Sequence, residues 1–196
     1  MRKTRAGEGT LGFSVFETRL GYCGIAWGER GLTGVQLPEG SESLTREWMA
    51  RHFPGVRETE PPEAVRAIIG RITALLNGER GAKGGGERDD LSDAPLDMSD
   101  VPPFHRRVYE LVRHIAPGLT LTYGEVARQL GQPGAARAVG QALGHNPFAP
   151  VVPCHRVLAA GSRPGGFSAH GGADTKLRML KAEGARVEGT PDLFEE

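Results

Sequence analysis

The sequence predicts an α+β protein, with a small N-terminal α/β part that contains an antiparallel strand meander and a mostly helical C-terminal part. Short apolar runs punctuated by glycine occupy residues 10–37, and apolar residues at helical spacing recur after residue 104. A stretch rich in glycine and charged residues separates the two. We therefore expect an N-terminal domain at residues 1–90, a connecting segment at 78–103, a C-terminal domain at 104–186 and a tail at 187–196.

The N-terminal meander is predicted from three apolar runs, which start at Phe13, Tyr22 and Leu32. The sequence Gly28-Glu29-Arg30-Gly31 between the second and third runs is typical of a tight turn, because glycine adopts backbone conformations that other residues avoid. Cys23 lies inside the second run, where we expect a core residue rather than a functional thiol.

Two helices should follow the strands. Ser43 is placed to cap the first, over residues 44–51. Its apolar face would carry Leu44, Trp48 and Met49. The second helix should begin after Pro61-Pro62 and end at Asn77-Gly78, because apolar residues recur at helical spacing between them. A short strand is expected around residues 95–98.

The C-terminal part predicts a helix-turn-helix. Apolar residues mark a first helix over residues 104–115. Thr122 and Glu125 then form a capping box for a helix over residues 123–130, and a turn at 131–134 separates it from a short helix over 135–143. This arrangement is typical of DNA-binding domains, although helical hairpins also occur in proteins that never touch DNA.

The charges are unevenly distributed along a chain whose formal net charge is zero. Residues 101–186 carry 11 basic and 4 acidic side chains, a net charge of +7. A C-terminal half with this charge can attract a polyanion. The zero net charge of the whole chain nevertheless excludes a strongly basic, histone-like DNA-binding protein. The N-terminus has no apolar signal region, and no apolar run approaches the roughly 20 residues of a membrane helix. We expect a cytoplasmic protein with no membrane partner and with both cysteines reduced.

The segment around Cys154 is the most informative part of the chain. Three prolines and two adjacent valines lead into Cys154-His155-Arg156. A thiol attacks only as thiolate, so a nucleophilic cysteine needs a base or a nearby positive charge; His155 could take the proton directly or through a water. The alternative is a buried structural cysteine beside a hydrogen-bonded histidine.

A glycine-rich loop, residues 165–172, follows this segment. It is either a flexible surface connection or a pocket wall where backbone must approach a flat ligand closely. A helix should start at Asp174 or Thr175 and place Lys176 and Glu183 on one face, where an ordinary surface salt-bridge helix is the simplest interpretation.

Taken together, these residues resemble the methylated-DNA–protein-cysteine methyltransferases, the O6-alkylguanine-DNA alkyltransferase family. The resemblance runs from Phe104 to Glu183. Its motifs are Thr122-Tyr123-Gly124, Ala135-Ala136-Arg137-Ala138-Val139-Gly140, Asn146-Pro147 and Val152-Pro153-Cys154-His155-Arg156-Val157. It implies a ribonuclease H-like N-terminal domain and a winged helix-turn-helix in the C-terminal domain.

The resemblance also implies a function: DNA repair by direct, stoichiometric transfer of an alkyl group from O6 of guanine, or O4 of thymine, to a cysteine. Cys154 would be the acceptor, His155 the base acting through water, with Glu183 behind it, and Asn146 would fix the turn around the acceptor. The partner would be double-stranded DNA that contains O6-alkylguanine. The protein would act as a monomer, without a metal or organic cofactor.

The DNA contacts follow from the same resemblance. The helix over residues 135–143 would enter the minor groove, where Ala135, Ala136 and Gly140 permit close approach. Arg137 would replace the extruded base in the stack, and Tyr123 would crowd the phosphate and promote rotation of the nucleotide. The guanine pocket would be lined by Val157, Phe167 and Ser168.

The chain departs from the family pattern at several places. Phe167 stands where the family usually has tyrosine, which leaves Ser168 or a backbone N–H to donate to the leaving base. The glycine-rich loop that follows Phe167 is about two residues longer than in many members of the family. Leu143, near the end of the helix over residues 135–143, stands where some members have a basic residue. Only Cys23 and His52 could bind zinc in the N-terminal domain, so we predict no zinc site.

Three other functions compete with alkyl transfer. A non-reactive alkyltransferase-like protein would bind the lesion without repairing it, but such proteins replace the acceptor cysteine. A thiol hydrolase with a Cys-His pair would turn over many times, whereas an alkyltransferase accepts one alkyl group per molecule. A DNA-binding regulator would not need Cys154 at all.

Overall fold

The computed structural model describes residues 10–79 and 89–185. Predictions for residues 1–9, 80–88 and the tail at 187–196 therefore lie outside the described residues. Within the described part, the element order is three strands, two helices, and then a second set of helices interrupted by two very short strands. This mixture confirms the α+β class.

The predicted meander is confirmed. Strands β1 (Thr10–Thr18), β2 (Gly21–Gly28) and β3 (Gly31–Gln36) form an antiparallel sheet in the order β1-β2-β3. Gly31 closes the turn between β2 and β3 at a φ of 126°, a conformation that side chains with a Cβ rarely adopt. A Cβ at this position would also lie 2.5 Å from the Pro95 carbonyl oxygen. Both the backbone conformation and the lack of space therefore require glycine.

Helix α1 (Glu42–His52) begins earlier than predicted. Its cap is Ser41, whose hydroxyl accepts a hydrogen bond from the Leu44 N–H at 3.2 Å, so the prediction of Ser43 as cap was wrong. The predicted apolar face was also wrong in part. Leu44 is 47% exposed, while the buried side chains are Thr45 and Met49.

Helix α2 (Glu63–Leu76) has the predicted bounds, with Pro62 before its first residue and Asn77 after its last. Its apolar side packs against the sheet in a core that also includes Val151 and Met179 from the C-terminal half. The strand expected at residues 95–98 is reduced to a single parallel bridge between Leu32 and Leu96, held by two backbone hydrogen bonds. The short strand was therefore overestimated, because only one residue pair meets the edge of β3.

The C-terminal half is built from four helices and a two-stranded sheet. Helix α3 (Pro103–Val112) is followed by β4 (Leu121–Thr122), α4 (Tyr123–Gln129) and α5 (Ala136–Gly144). A 3-10 turn (Cys154–Arg156), β5 (Val157–Leu158), a second 3-10 turn (Ala160–Ser162) and α6 (Gly172–Ala182) complete the fold.

The predicted helix-turn-helix is formed by α4 and α5. The capping box is present as expected: the Thr122 hydroxyl accepts from the Glu125 N–H, and the Glu125 carboxylate accepts from the Thr122 N–H. Helices α3 and α5 are joined by the buried Tyr109 hydroxyl, which donates to the Ala142 carbonyl at 2.8 Å. The wing remains a prediction, since the only strands in the described part of this half are β4 and β5.

The N-terminal sheet is joined directly to the segment that leads to Cys154. The Val35 N–H of β3 donates to the Pro147 carbonyl at 2.8 Å, and Val35 forms a parallel bridge with Phe148. The two halves of the molecule are thus connected by backbone pairing as well as by the shared core. Helices α1–α6, which lie in the described ranges, are each too short or too polar to cross a membrane.

Candidate active site around Cys154

Cys154 is held at the start of the 3-10 turn by its neighbours on both sides. After the turn, β5 pairs in parallel with β4, Leu121 opposite Val157. Before it, the Asn146 side chain donates to the Val152 carbonyl at 2.7 Å and accepts from the Phe148 N–H at 3.0 Å. One amide therefore closes the segment between α5 and Cys154 into a fixed loop.

His155, Arg156 and Glu183 form a buried ionic network beneath the cysteine. The His155 Nε2 lies 2.9 Å from one Glu183 carboxylate oxygen, and the Arg156 guanidinium donates to both oxygens at 2.7 and 2.8 Å. Arg156 also donates to the Ile115 carbonyl, so the segment that follows α3, the 3-10 turn and the end of α6 are connected. The surface salt-bridge interpretation of Glu183 is therefore wrong, because Glu183 is only 2% exposed.

The charges in this network determine the state of His155. Burial alone would raise the pKa of Glu183, but His155 and Arg156 lower it to about 2. Burial lowers the pKa of His155, although Glu183 opposes that change. At neutral pH we therefore expect an ionised Glu183 beside a neutral His155.

An ionised carboxylate can only accept a hydrogen bond, so the proton of neutral His155 must be on Nε2. Its other nitrogen, Nδ1, is buried and has no hydrogen-bond partner among the residues that the structure describes. That nitrogen carries the free lone pair. The histidine is thus oriented by Glu183 and retains one nitrogen that can take up a proton.

Cys154 lies at the wall of a cavity of about 370 Å³. It is 8% exposed, whereas Cys23 is completely buried in β2, as predicted for a core residue. Both thiols are free. Burial raises the pKa of the Cys154 thiol, and the Asn146 side chain and the Lys176 ammonium oppose that rise. The structure therefore places the sulfur at a cavity and not in a closed core.

The cavity brings together part of the predicted site. Besides Cys154, its lining contains Tyr123, Gly140, Phe167 and Ser168, all of which were predicted to contact DNA or guanine. The remaining predicted residues are placed around it: Val157 is buried in β5, Ala135 and Ala136 begin α5, and Arg137 is exposed on that helix. Asn146, His155 and Glu183 lie behind Cys154.

Sequence reasoning missed the role of several residues at this site. Leu143, Gly144 and Gly166 also line the cavity. Lys176 is completely buried beside it, in α6, which begins at Gly172 rather than at Asp174 or Thr175. The signal for Lys176 was its spacing, since it lies three and four residues before the buried Met179 and Leu180. In the described ranges, residues 10–79 and 89–185, no three metal-ligating side chains lie together.

Comparison with known proteins gives consistent results. Residues 103–185 match the family model described as 6-O-methylguanine DNA methyltransferase, DNA binding domain. A methylated-DNA--protein-cysteine methyltransferase from Methanothermobacter thermautotrophicus is 33% identical over 166 residues, which cover 85% of this chain and 81% of that protein. A DNA base-flipping protein from Thermus thermophilus is 40% identical over 144 residues, which cover 70% and 92%.

A solved structure extends this similarity to the fold. The crystal structure of Mycobacterium tuberculosis OGT in complex with DNA aligns with a TM-score of 0.67 and 31% identity, covering 89% of this chain and 93% of that one. The similarity thus includes the N-terminal sheet as well as the matched domain. The chain belongs to the methylated-DNA–protein-cysteine methyltransferase family.

Proposed function

We propose that this protein repairs DNA by transferring an alkyl group from O6 of guanine to the Cys154 sulfur, once per molecule. The observation that carries the proposal is a thiol on a cavity wall with an oriented His155–Glu183 pair behind it. Related proteins that carry this activity in their names align over most of the chain. The enzyme is accordingly a methylated-DNA–protein-cysteine S-methyltransferase.

The chemistry uses the groups that the fold places together. His155 Nδ1 takes the Cys154 proton, through a water, and Glu183 stabilises the resulting imidazolium. The thiolate forms a bond to the alkyl carbon while the bond between that carbon and O6 breaks. The electron pair goes to guanine, which then takes up a proton. A thioether is a poor leaving group, so Cys154 is not regenerated and no cofactor is consumed.

The nucleotide must leave the duplex before this reaction, because O6 of a paired guanine is buried in the base stack. We propose that α5 enters the minor groove, with Ala135, Ala136 and Gly140 allowing close approach. Arg137, exposed on α5, then fills the space of the extruded base. Tyr123 crowds the phosphate and favours the rotated nucleotide.

The extruded guanine would bind in the cavity beside Cys154. We assign its walls to Phe167 and Ser168, which line the cavity, and to the backbone near Val157, whose side chain is buried. The Phe167 ring offers a face for stacking but no hydroxyl, so Ser168 or a backbone N–H donates to the leaving base. The double-stranded DNA partner is supported by the related OGT structure, which was determined in complex with DNA.

The decisive test is intact-protein mass spectrometry after incubation with a duplex that contains O6-methylguanine. The mass should rise by about 14 Da, one methylene, on the peptide that carries Cys154. Cys154→Ser should abolish the increase, whereas Cys23→Ser, a change in the N-terminal core, should preserve it. An unchanged mass with the DNA still bound would identify a non-reactive lesion binder, and repeated turnover would identify a hydrolase.

A further inference from the structure

The glycine-rich loop is held by the first turns of α6. The hydroxyl of Thr175, a residue that is only 9% exposed, donates a hydrogen bond to the His170 carbonyl at 2.7 Å. The Gly172 N–H donates to the Ala169 carbonyl at 2.9 Å. Thr175 does not cap the helix, because the N-cap of α6 is Gly171, which makes no side-chain hydrogen bond. Its hydroxyl instead connects the helix to the loop that precedes it.

The position of the Thr175 hydroxyl depends on a glycine. Gly171 has a φ of 81°, a conformation that residues with a Cβ rarely adopt. A Cβ at Gly171 would lie 2.5 Å from the Thr175 Oγ1, so the hydroxyl occupies space that any larger residue would need. The same turn brings the start of α6 close to Phe167, since a Cβ at Gly172 would lie 4.0 Å from the Phe167 carbonyl oxygen. Gly171 and Thr175 thus act together to fold the end of the loop.

The side chains of the loop lie against the N-terminal half. A Cβ at Gly40, in the segment between β3 and α1, would be 3.3 Å from the His170 Nε2, so the imidazole lies against this glycine. Phe167 and Ala169 pack against the core that is formed mainly by the sheet and α2. The loop is therefore held by α6 at the His170 carbonyl and by the N-terminal half at its side chains.

This loop carries the wall at which the extruded base would bind. Gly166, Phe167 and Ser168 line the cavity with Cys154, and Ser168 is two residues before His170. Ordering a glycine-rich backbone costs conformational entropy, and that cost weakens base binding unless the loop is already ordered. The contacts of Thr175 order the end of the loop without any contribution from DNA.

We propose that Thr175 is a positioning residue for the extruded base: its hydrogen bond to the His170 carbonyl holds the loop so that Phe167 and Ser168 form the pocket wall before the base arrives. This inference rests on the proposed function, because it concerns the base that carries the alkyl group.

The effect of Thr175 is confined to one step of the reaction. Thr175 is not among the residues that line the cavity, so it acts on the base only through the loop. Loss of its hydroxyl should reduce the fraction of bound DNA in which the base occupies the pocket. Binding of α5 to the groove and the reactivity of the Cys154 thiol should stay the same, because neither depends on the loop.

The test is single-turnover methyl transfer from an O6-methylguanine duplex, measured with the full-length protein over a range of protein concentrations. Thr175→Val keeps the shape of the side chain but removes its donor. The maximal rate should fall roughly three- to tenfold, the effect of one lost hydrogen bond, while the protein concentration at half-maximal rate stays the same. Alkylation of Cys154 by iodoacetamide in the absence of DNA should also be unchanged. Thr175→Ser, which retains the hydroxyl, should restore the rate, and Thr73→Val on α2, outside the cavity lining, should have no effect.

Several outcomes would overturn the proposal. An unchanged maximal rate in Thr175→Val, or a change only in the half-maximal concentration, would show that the hydroxyl does not act on the extruded base. An equal loss in the iodoacetamide reaction would show that the substitution disturbs the whole site and that Thr175 has only a structural role.

If Thr175→Val does not fold, hydrogen exchange of the Gly172 amide can be measured by NMR in the wild-type protein without DNA. Protection of this amide, which bonds the Ala169 carbonyl, supports the preformed wall, and exchange at the rate of an unstructured peptide contradicts it. Absence of methyl transfer in the wild type would instead refute the proposed function, and the exchange measurement would still test the loop.

Discussion

The buried network of His155, Arg156 and Glu183 makes a quantitative prediction about stability. Glu183→Gln keeps the shape of the side chain but removes its charge, and so mimics the protonated acid. The pKa of Glu183 falls from 4.5 to about 2 in the folded protein. At 1.36 kcal/mol for each unit, the charged form contributes roughly 3 kcal/mol to the free energy of unfolding at neutral pH.

The sign of the pH dependence follows from the direction of this shift. A carboxyl whose folded pKa is depressed stabilises the protein above its unfolded pKa, and the contribution is lost as pH falls toward the folded pKa. The difference between wild type and Glu183→Gln should therefore be full at neutral pH, begin to shrink below about pH 5, and be less than half as large by about pH 3. Loss of the carboxylate should also slow alkyl transfer, because His155 loses the group that stabilises its protonated form.

Urea unfolding at a series of pH values measures this difference directly. Glu47→Gln, on the exposed side of α1, changes the net charge equally and serves as the control. A loss below about 1 kcal/mol at neutral pH, or a loss of constant size down to pH 3, would show that Glu183 contributes as a neutral hydrogen-bond acceptor and not as a charge.

Two further predictions concern the acceptor segment and the DNA contact. Asn146→Ala removes the acceptor of the Phe148 N–H and one of the two donors to the Val152 carbonyl, which keeps its hydrogen bond from the Cys154 N–H. It should lower the free energy of unfolding by about 1–3 kcal/mol and slow alkylation of Cys154. Unchanged values in both assays would contradict the role of Asn146 in fixing the turn. Arg137→Ala should slow transfer from duplex DNA much more than transfer from a single strand, with an unchanged melting temperature, and an equal effect on both substrates would refute insertion of Arg137 into the stack.

Elements with a strict local signal could be predicted from the sequence. The capping box of Thr122 and Glu125, the glycine turn before β3 and the proline before α2 each depend on residues close together in the chain. The buried face of α1 was predicted wrongly in part because a polar residue, Thr45, lies on it. Its hydroxyl donates to the Tyr22 carbonyl at 2.9 Å, which compensates for its burial but breaks the apolar pattern.

At the candidate active site, too, the sequence predicted the contacts between residues close in the chain better than those between distant residues. The candidate pair Cys154-His155 was recognisable because the two residues are adjacent, and Glu183 was assigned from the family resemblance. The bonds between Arg156 and Glu183 join residues 27 positions apart, so no local pattern could predict them. Lys176 was overlooked for the reason that applies to Thr45: a polar or charged residue on a buried helical face is interpreted as solvent-exposed unless its partner is known.

The hydrogen bond from Val35 to Pro147 has a consequence for how the protein can be divided. Cleavage in the connecting segment would yield a C-terminal fragment without β3. The segment before Cys154 would then lose its backbone hydrogen bond to Val35. Val151 and Met179 would then face water on the side that the sheet and α2 had covered. We expect such a fragment to retain all the proposed active-site and DNA-contacting residues and yet to transfer the alkyl group to Cys154 more slowly than the full chain. Among the residues that the structure describes, the N-terminal half places no side chain at the cavity, and it contacts the segment before Cys154 through the backbone of β3.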